Sequence, residues 1–434
     1  MRILQFTGGA AQMYCGSCLR DNNVAADLMA RGHQVTLVPL YTPTTTDEKN
    51  VSSPKVFFGG ISIYLEQHWG LFRHTPWLVD RLWDSKFALK LAAKRQVKVD
   101  PRFLGEMTIS MLKGEHGPLR KEFAKLLAWL ETEPRPDVIN LPFALLIALA
   151  EPLRRSLERP VCLTLQGDDV FLDGLEEPWR GEAMRLIREQ IPRVDRFLAT
   201  SHYYAEYMSE YFGIPRGRIE VVRIGIHAGD FHRGARERPY VTLGYFARIA
   251  PEKGLHLLAE AYRRLRTEYG LDGVRLEAAG YLPPEHRHYL ESIERQMQEW
   301  GYGGEFHYRG TVDRDQKIAF LAGLDILSVP SPYREPKGLY LLEAMASGVP
   351  VVSPAHGSFP EILDKTGGGL LFEPNDAASL AEKLALLVRD RELRAALGER
   401  AFDGVRAHYT AAQMVDETLA AYERLRSEQR AAVR

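Results

Sequence analysis

The sequence predicts an α/β protein of two similar doubly wound domains facing each other across a cleft. Three observations carry this. The chain has 434 residues, two or three domains' worth at roughly 100–200 residues each. Its first forty residues run strand, glycine loop, helix, strand. After Tyr240 the same run begins again.

Ile3–Phe6 is apolar and short, and Thr7, Gly8 and Gly9 break it. Val24, Ala25, Leu28 and Met29 then recur at helical spacing until Gly32, and Val35–Pro39 is the next strand. Residues from about 42 to 130 interrupt the rhythm with TPTTTDEKN, an aromatic run (Tyr64, Trp69, Phe72, Trp77, Trp83) and a long helical tract. Such an insertion serves as a lid, a binding surface or a helical cap. Its tract Lys86–Lys125 holds ten Lys/Arg against four Asp/Glu, a solvated helix face or an attraction for phosphorylated or membrane-surface acceptors.

The βα alternation returns with strands at Val138–Leu141, Val161–Leu165, Phe197–Thr200 and Glu220–Ile224. Gly229–Tyr240, without periodicity, reads as a linker. Then follow a strand at Val241–Phe246, the loop RIAPEKG and a helix from Leu255 to about Arg266. Strands at Val274–Ala279, Phe306–Tyr308, Ile326–Val329 and Val349–Ser353 alternate with helices. Thr410 and Gln413 have the spacing of a capping box that opens the last helix. The expected division is 1–235, completed by the helix at about 408–434, and 236–407.

The 56 basic and 57 acidic residues nearly cancel, so no chain-wide field drives nucleic-acid binding. Three cysteines make no disulfide framework and fit a reducing compartment. The N-terminus lacks a secretory pattern, and the longest apolar run, Leu141–Ala150, is too short to span a bilayer. A cytoplasmic protein is expected, with peripheral contact at the inner membrane face left open.

Two constellations carry chemistry. Glu335 lies in a proline-bounded loop after the strand near Ile326, Gly338 opens the next helix, and Glu343 sits a turn and a half into it. A helix start offers unpaired N–H groups to a phosphate, and a carboxylate there can accept from vicinal hydroxyls. An exposed loop charge (Glu335) and a cap or ion pair (Glu343) are the plain alternatives. Arg248 and Lys253 flank the loop after the strand at Val241–Phe246. Together they can neutralise a diphosphate leaving group without a metal; a solvated loop is the plain alternative.

With both constellations in one domain, the sequence resembles the retaining glycosyltransferases of family 4, also called group 1, with the GT-B fold of two Rossmann-like domains. The resemblance rests on Gly8-Gly9 with RGHQV, Arg248…Lys253-Gly254, Gly280, Tyr308-Arg309-Gly310, LDILSVPS, Glu335…Glu343-Ala-Met-Ala-Ser-Gly-Val-Pro and Pro360-Glu361. It is strong from about Tyr240 to Glu373, moderate over Met1–Pro39 and poor in the insertion.

The resemblance implies a nucleotide-diphosphate sugar as donor, a hydroxyl acceptor (saccharide, lipid or small molecule), and no metal or cofactor. Arg248 and Lys253 would clamp the diphosphate, and Glu335 would contact the sugar near the reacting carbon. Glu343 would hold the ribose hydroxyls, and the Gly338 and Leu339 amides would touch phosphate or sugar. The Gly8–Gly9 loop would approach from the other domain. Two departures bear on substrate preference and catalytic strength. Where many relatives have His, the first domain reads TLQGDD, leaving Gln166, Asp168 and Asp169 as acceptor or sugar contacts. Asn-Gly-aliphatic-Asp is replaced by Ile224-Gly225-Ile226-His227.

Other candidates are weaker. Cys15-Gly-Ser-Cys18 has metal-like spacing but no second pair. Asp313-Arg-Asp315 looks like a metal site, yet it falls at a helix start, where capping explains it. His286 and His288 lie on a polar helix with no matching ligand set. Competing functions on the same fold are a nucleotide-sugar epimerase and a catalytically weak sugar-nucleotide-binding protein. An NAD-dependent oxidoreductase lacks its G-x-G-x-x-G spacing here.

Overall fold

The computed structural model describes residues 1–9, 16–44, 46–58, 101–234 and 238–432. They form two compact units, 1–200 with 204–222 and 415–434, and 201–203 with 223–414.

The first unit is a six-stranded parallel sheet of β1 (Arg2–Thr7), β2 (Gln34–Pro39), β3 (Val138–Leu141), β4 (Val161–Leu165), β5 (Arg196–Ala199) and β6 (Ile219–Val221), in the order β2-β1-β3-β4-β5-β6. The chain order reverses between β1 and β3, where Ile3 pairs with Val138 and Leu4 with Ile139. β3 and β4 are buried at every position, as strands covered on both faces are, and they read as apolar runs interrupted by Asn140 and Thr164.

The second unit repeats the architecture with β7 (Val241–Phe246), β8 (Val274–Ala279), β9 (Phe306–Tyr308), β10 (Ile326–Leu327), β11 (Val351–Pro354) and β12 (Gly369–Phe372), in the order β12-β11-β10-β7-β8-β9. Its switch point lies between β7 and β10, with Ile326 opposite Leu243 and Leu327 opposite Gly244. Ligands of such sheets bind beyond the carboxyl ends of the strands at that point. The helix Leu255–Thr267 buries a stripe of Leu255, Leu258, Ala259, Tyr262 and Leu265 against the sheet, the i, i+3, i+4 spacing of an amphipathic helix.

The units change over at residues 222/223 and 414/415, not at the expected 235/236 and 407/408. The reason is a set of ties within the second unit. The Ile226 N–H donates to Tyr409 O at 2.9 Å, and Ala411 N donates to Ile226 O at 2.8 Å. The Arg406 guanidinium donates to Ala228 O and Phe231 O at 2.9 and 3.1 Å. Arg233 pairs with Glu399. The described part of Gly229–Tyr240 is thus fastened to the second unit and is not a free linker.

Other differences are local. β6 ends at Val221 and β10 at Leu327, both earlier than expected. β12, among the described residues an edge strand paired with β11 and partly exposed, was not expected at all. Of the insertion, the described part ends in the helices Pro101–Leu112 and Arg120–Thr132. There Phe58 packs on Phe123 in the core and the partly exposed Phe57 packs on Trp129, at ring-centroid distances of 5.3 and 4.8 Å. The aromatic run Tyr64–Trp83, residues 86–100 of the basic tract and Cys15 lie outside the described residues. Cys18 and Cys162 are buried. Among the described residues no helix is long and apolar enough to cross a membrane.

Candidate functional site

In the second unit the loops after β7 and β10 meet at the switch point. Gly254 begins the helix Leu255–Thr267 with φ +76°, and a Cβ there would lie 2.1 Å from Pro330 O. Only glycine lets the two loops pass so closely. Ser331 stitches them together, its hydroxyl donating to Glu252 O at 2.7 Å.

This approach joins two of the expected site residues. The Lys253 ammonium forms an ion pair with Glu335 Oε2, both side chains being largely buried. The same ammonium lies 5.8 Å from the Tyr333 ring centre and 5.7 Å from that of Tyr340, within reach of both π faces. The Glu335 backbone is gripped from a third loop, its carbonyl accepting from Ser358 N at 2.8 Å. Glu335 is therefore not a loose surface charge. Arg248 stands further out, half exposed and paired with Glu252 four residues on.

Gly338, at φ +67°, precedes the helix Leu339–Ala346. On that helix Glu343 is buried and accepts from Lys317 Nζ at 2.7 Å. Two side chains of this neighbourhood escaped the sequence reading. Lys317 is a lone lysine in an unremarkable helix. Tyr340 has a buried hydroxyl with no hydrogen-bond partner among the described residues. Burial, and then the nearby Glu335 charge, push the Tyr340 hydroxyl well above its ordinary pKa, so it stays a neutral donor.

In the first unit, Gly8 and Gly9 follow β1. Gly9, at φ +76°, would place a Cβ 1.8 Å from Thr42 O, and a Cβ on Gly8 would lie 2.9 Å from the Phe143 ring. After β4, Gln166 Nε2 donates to Pro142 O at 3.0 Å and to Asp21 Oδ1 at 3.3 Å. Asp21 pairs with Arg20 at 3.2 Å, both fully buried.

Asp168 and Asp169 are buried as well. Asp168 accepts the N–H of Ala144 at 2.5 Å and of Gln166 at 3.0 Å, joining the loops after β3 and β4. Asp169 accepts from the Tyr204 hydroxyl at 2.7 Å, which itself accepts from Gly167 N and Asp168 N at 2.9 Å each. Asp168 thus holds the backbone of two loops, and Asp169 holds the tyrosine hydroxyl that binds the second of them. Burial outweighs those N–H bonds at Asp168 and pushes its carboxyl up to about 6.

The remaining motifs fall to structure. Asp313 accepts from Gln316 N at 2.9 Å and Gln316 Oε1 accepts from Asp313 N at 3.0 Å, a reciprocal cap on the helix Arg314–Ala322. Thr410 and Gln413 cap the last helix in the same way.

Two units of this kind, each with a switch point at the carboxyl end of a six-stranded parallel sheet, are the architecture of the GT-B fold. Alr3699/HepE of Anabaena, solved in complex with UDP and glucose, is 16% identical, with a TM-score of 0.69 over 98% of this chain and 99% of its own. Sucrose-phosphate synthase of Thermosynechococcus elongatus is 17% identical, with a TM-score of 0.71 over 99% of this chain and 100% of its own. Residues 231–403 match the family described as glycosyl transferases group 1, and residues 22–225 match the glycosyl transferase 4-like domain. The chain belongs to the group 1 glycosyltransferases. The D-inositol 3-phosphate glycosyltransferase of Mycolicibacterium smegmatis is 29% identical over 259 residues, 57% of this chain and 57% of that protein. The chain spans about half the length of the curated relatives it matches.

Proposed function

We propose that this glycosyltransferase moves a sugar from a nucleoside-diphosphate sugar to a hydroxyl acceptor, with retention of anomeric configuration and without a metal or other cofactor. The observation that carries the reading is the Lys253–Glu335 pair at the switch point of the second sheet, with Arg248 on the same loop. A cation and a carboxylate side by side suit a ligand that is anionic at one end and hydroxyl-bearing at the other. Alr3699/HepE, solved with UDP and glucose, shares the fold and lends support to a uridine donor.

In this reading the diphosphate lies against Arg248, Lys253 and the N–H groups of Gly338 and Leu339. Glu335 holds hydroxyls of the donor sugar and Glu343 the ribose. The bond between the anomeric carbon and the β-phosphate oxygen breaks, and its electron pair leaves with the diphosphate. Arg248 and Lys253 stabilise that charge where it develops. The acceptor oxygen bonds to the same face of the carbon, and its proton passes to the departing phosphate oxygen. Gln166 of the first unit is a hydrogen-bonding group and not an acid or base, since its amide cannot titrate. The acceptor is a saccharide, a lipid or a small molecule, and the enzyme works in the cytoplasm or at the inner membrane face.

The test is thermal unfolding with UDP, GDP and ADP. A ligand at a hundred times its Kd adds about 2.7 kcal/mol, which raises Tm by roughly 5–10 °C for a domain of this size. One nucleotide is expected to give this shift, and Arg248→Ala/Lys253→Ala to abolish it. Glu335→Gln is expected to keep the shift and lose most sugar transfer. No shift with any nucleotide overturns the reading.

A further inference from the structure

Lys317 lies on the buried stripe of the helix Arg314–Ala322, one turn before Leu321. Its side chain and that of Glu343 are 7% and 8% exposed, and Lys317 Nζ sits 2.7 Å from Glu343 Oε1. The ammonium also lies 5.9 Å from the ring centre of the buried Phe231. An ion pair sunk this deep is a poor device for stability. Stripping water from both charges offsets most of their attraction, and apolar residues of like volume do as well or better. What such a pair supplies is a fixed geometry and a fixed charge. Lys317 holds the Glu343 carboxylate in one orientation, and a carboxylate accepts at either of its oxygens. That is the complement of two neighbouring hydroxyl donors.

Resting on the nucleoside-diphosphate reading above, we propose that Lys317 is a positioning residue. It sets the Glu343 carboxylate to accept from the ribose 2′ and 3′ hydroxyls, so discrimination between ribose and 2′-deoxyribose donors depends on it. Lys317 itself does not touch the ligand. Acting through the Glu343 carboxylate, it bears on the sugar edge of the nucleoside and not on the diphosphate clamp.

The experiment compares, by calorimetry, whichever of UDP, GDP and ADP binds with its 2′-deoxy counterpart. It uses the wild type, Lys317→Met and Lys317→Arg, each shown by circular dichroism and unliganded melting to be folded. The wild type is expected to prefer the ribonucleotide by on the order of tenfold, the value of a hydrogen bond to a charged group. Lys317→Met is expected to bring that ratio close to one by weakening only the ribonucleotide, and Lys317→Arg to restore most of it. If Lys317→Met does not fold, Lys317→Gln takes its place under the same expectations.

A preference that survives in the neutral variant overturns the assignment. So does equal weakening of both ligands, the mark of a merely structural role, and so does a wild type without preference. Each of these leaves the diphosphate reading standing. A wild type that binds none of the three nucleotides overturns that reading, and the assignment with it.

Discussion

At the scale of the residue, Asp168 shows what burial does to a carboxylate with two hydrogen-bond donors of its own. Its folded pKa is pushed up to about 6, while the unfolded chain takes that proton only near pH 4. Between those values the folded state binds more protons, so this group's contribution to stability is full below about pH 4 and is lost as pH rises through 6. Asp168→Asn offers one acceptor oxygen to the two N–H groups of Ala144 and Gln166, and is expected to cost about 1–3 kcal/mol at pH 7. Urea unfolding at pH 5 and pH 7 checks the rest: the wild type's advantage is expected to be larger at pH 5. An equal difference at both values contradicts the argument. The sequence shows an acid after a strand, but not that one of its two partners, Ala144, sits 24 residues away on another loop. For the same reason Lys253 and Glu335 were legible as candidates, and their pairing was not. Lys317 was invisible, because a single lysine in a helix reads as solvated until a partner is found for it.

At the scale of the element, strands walled in by helices were the easiest to read. Val138–Leu141, Val161–Leu165, Val241–Phe246 and Val274–Ala279 have the same bounds in sequence and structure; the first two are buried at every position, and Val274–Ala279 keeps its apolar side despite the exposed Arg275. β12 was missed because an edge strand, half exposed, carries a weaker apolar signal. The loops after β7 and β10 depend on one glycine. Gly254→Ala must accept a left-handed φ and a Cβ 2.1 Å from Pro330 O. A loss of at least about 2 kcal/mol in urea unfolding is expected, since backbone or neighbour must shift. Nucleotide affinity is expected to fall with it, because Lys253 is the preceding residue. A variant as stable as the wild type would show that the loops can separate at no cost.

At the scale of the whole molecule, the chain returns at its end to the unit in which it began. Residues 415–434 belong to the first unit, where Val415, Tyr422 and Leu425 are buried. Arg424 pairs with Glu220, and Glu428 with Arg196 at 2.7 Å. Ending the chain after Met414 is expected to destabilise the first unit while nucleotide binding by the second survives. Calorimetric unfolding with and without nucleotide checks this. Loss of nucleotide binding in a still-folded second unit would count against the division of labour. The doubled architecture itself was legible, because the strand–loop–helix run occurs twice. The crossover was not, since Gly229–Tyr240 looks like a linker until Arg406 and Thr410 are seen to hold the residues around it.

The Lys253–Glu335 pair sets an anion beside the ammonium that the proposed function gives to a diphosphate. On that proposal an incoming diphosphate would have to share or take the ammonium from a carboxylate on the same chain, so part of its attraction would be cancelled on arrival. The same carboxylate would stand ready to reclaim the ammonium once transfer is over. Glu335 would then work as an internal eluent, holding the affinity for the spent nucleotide down so that the next donor can enter.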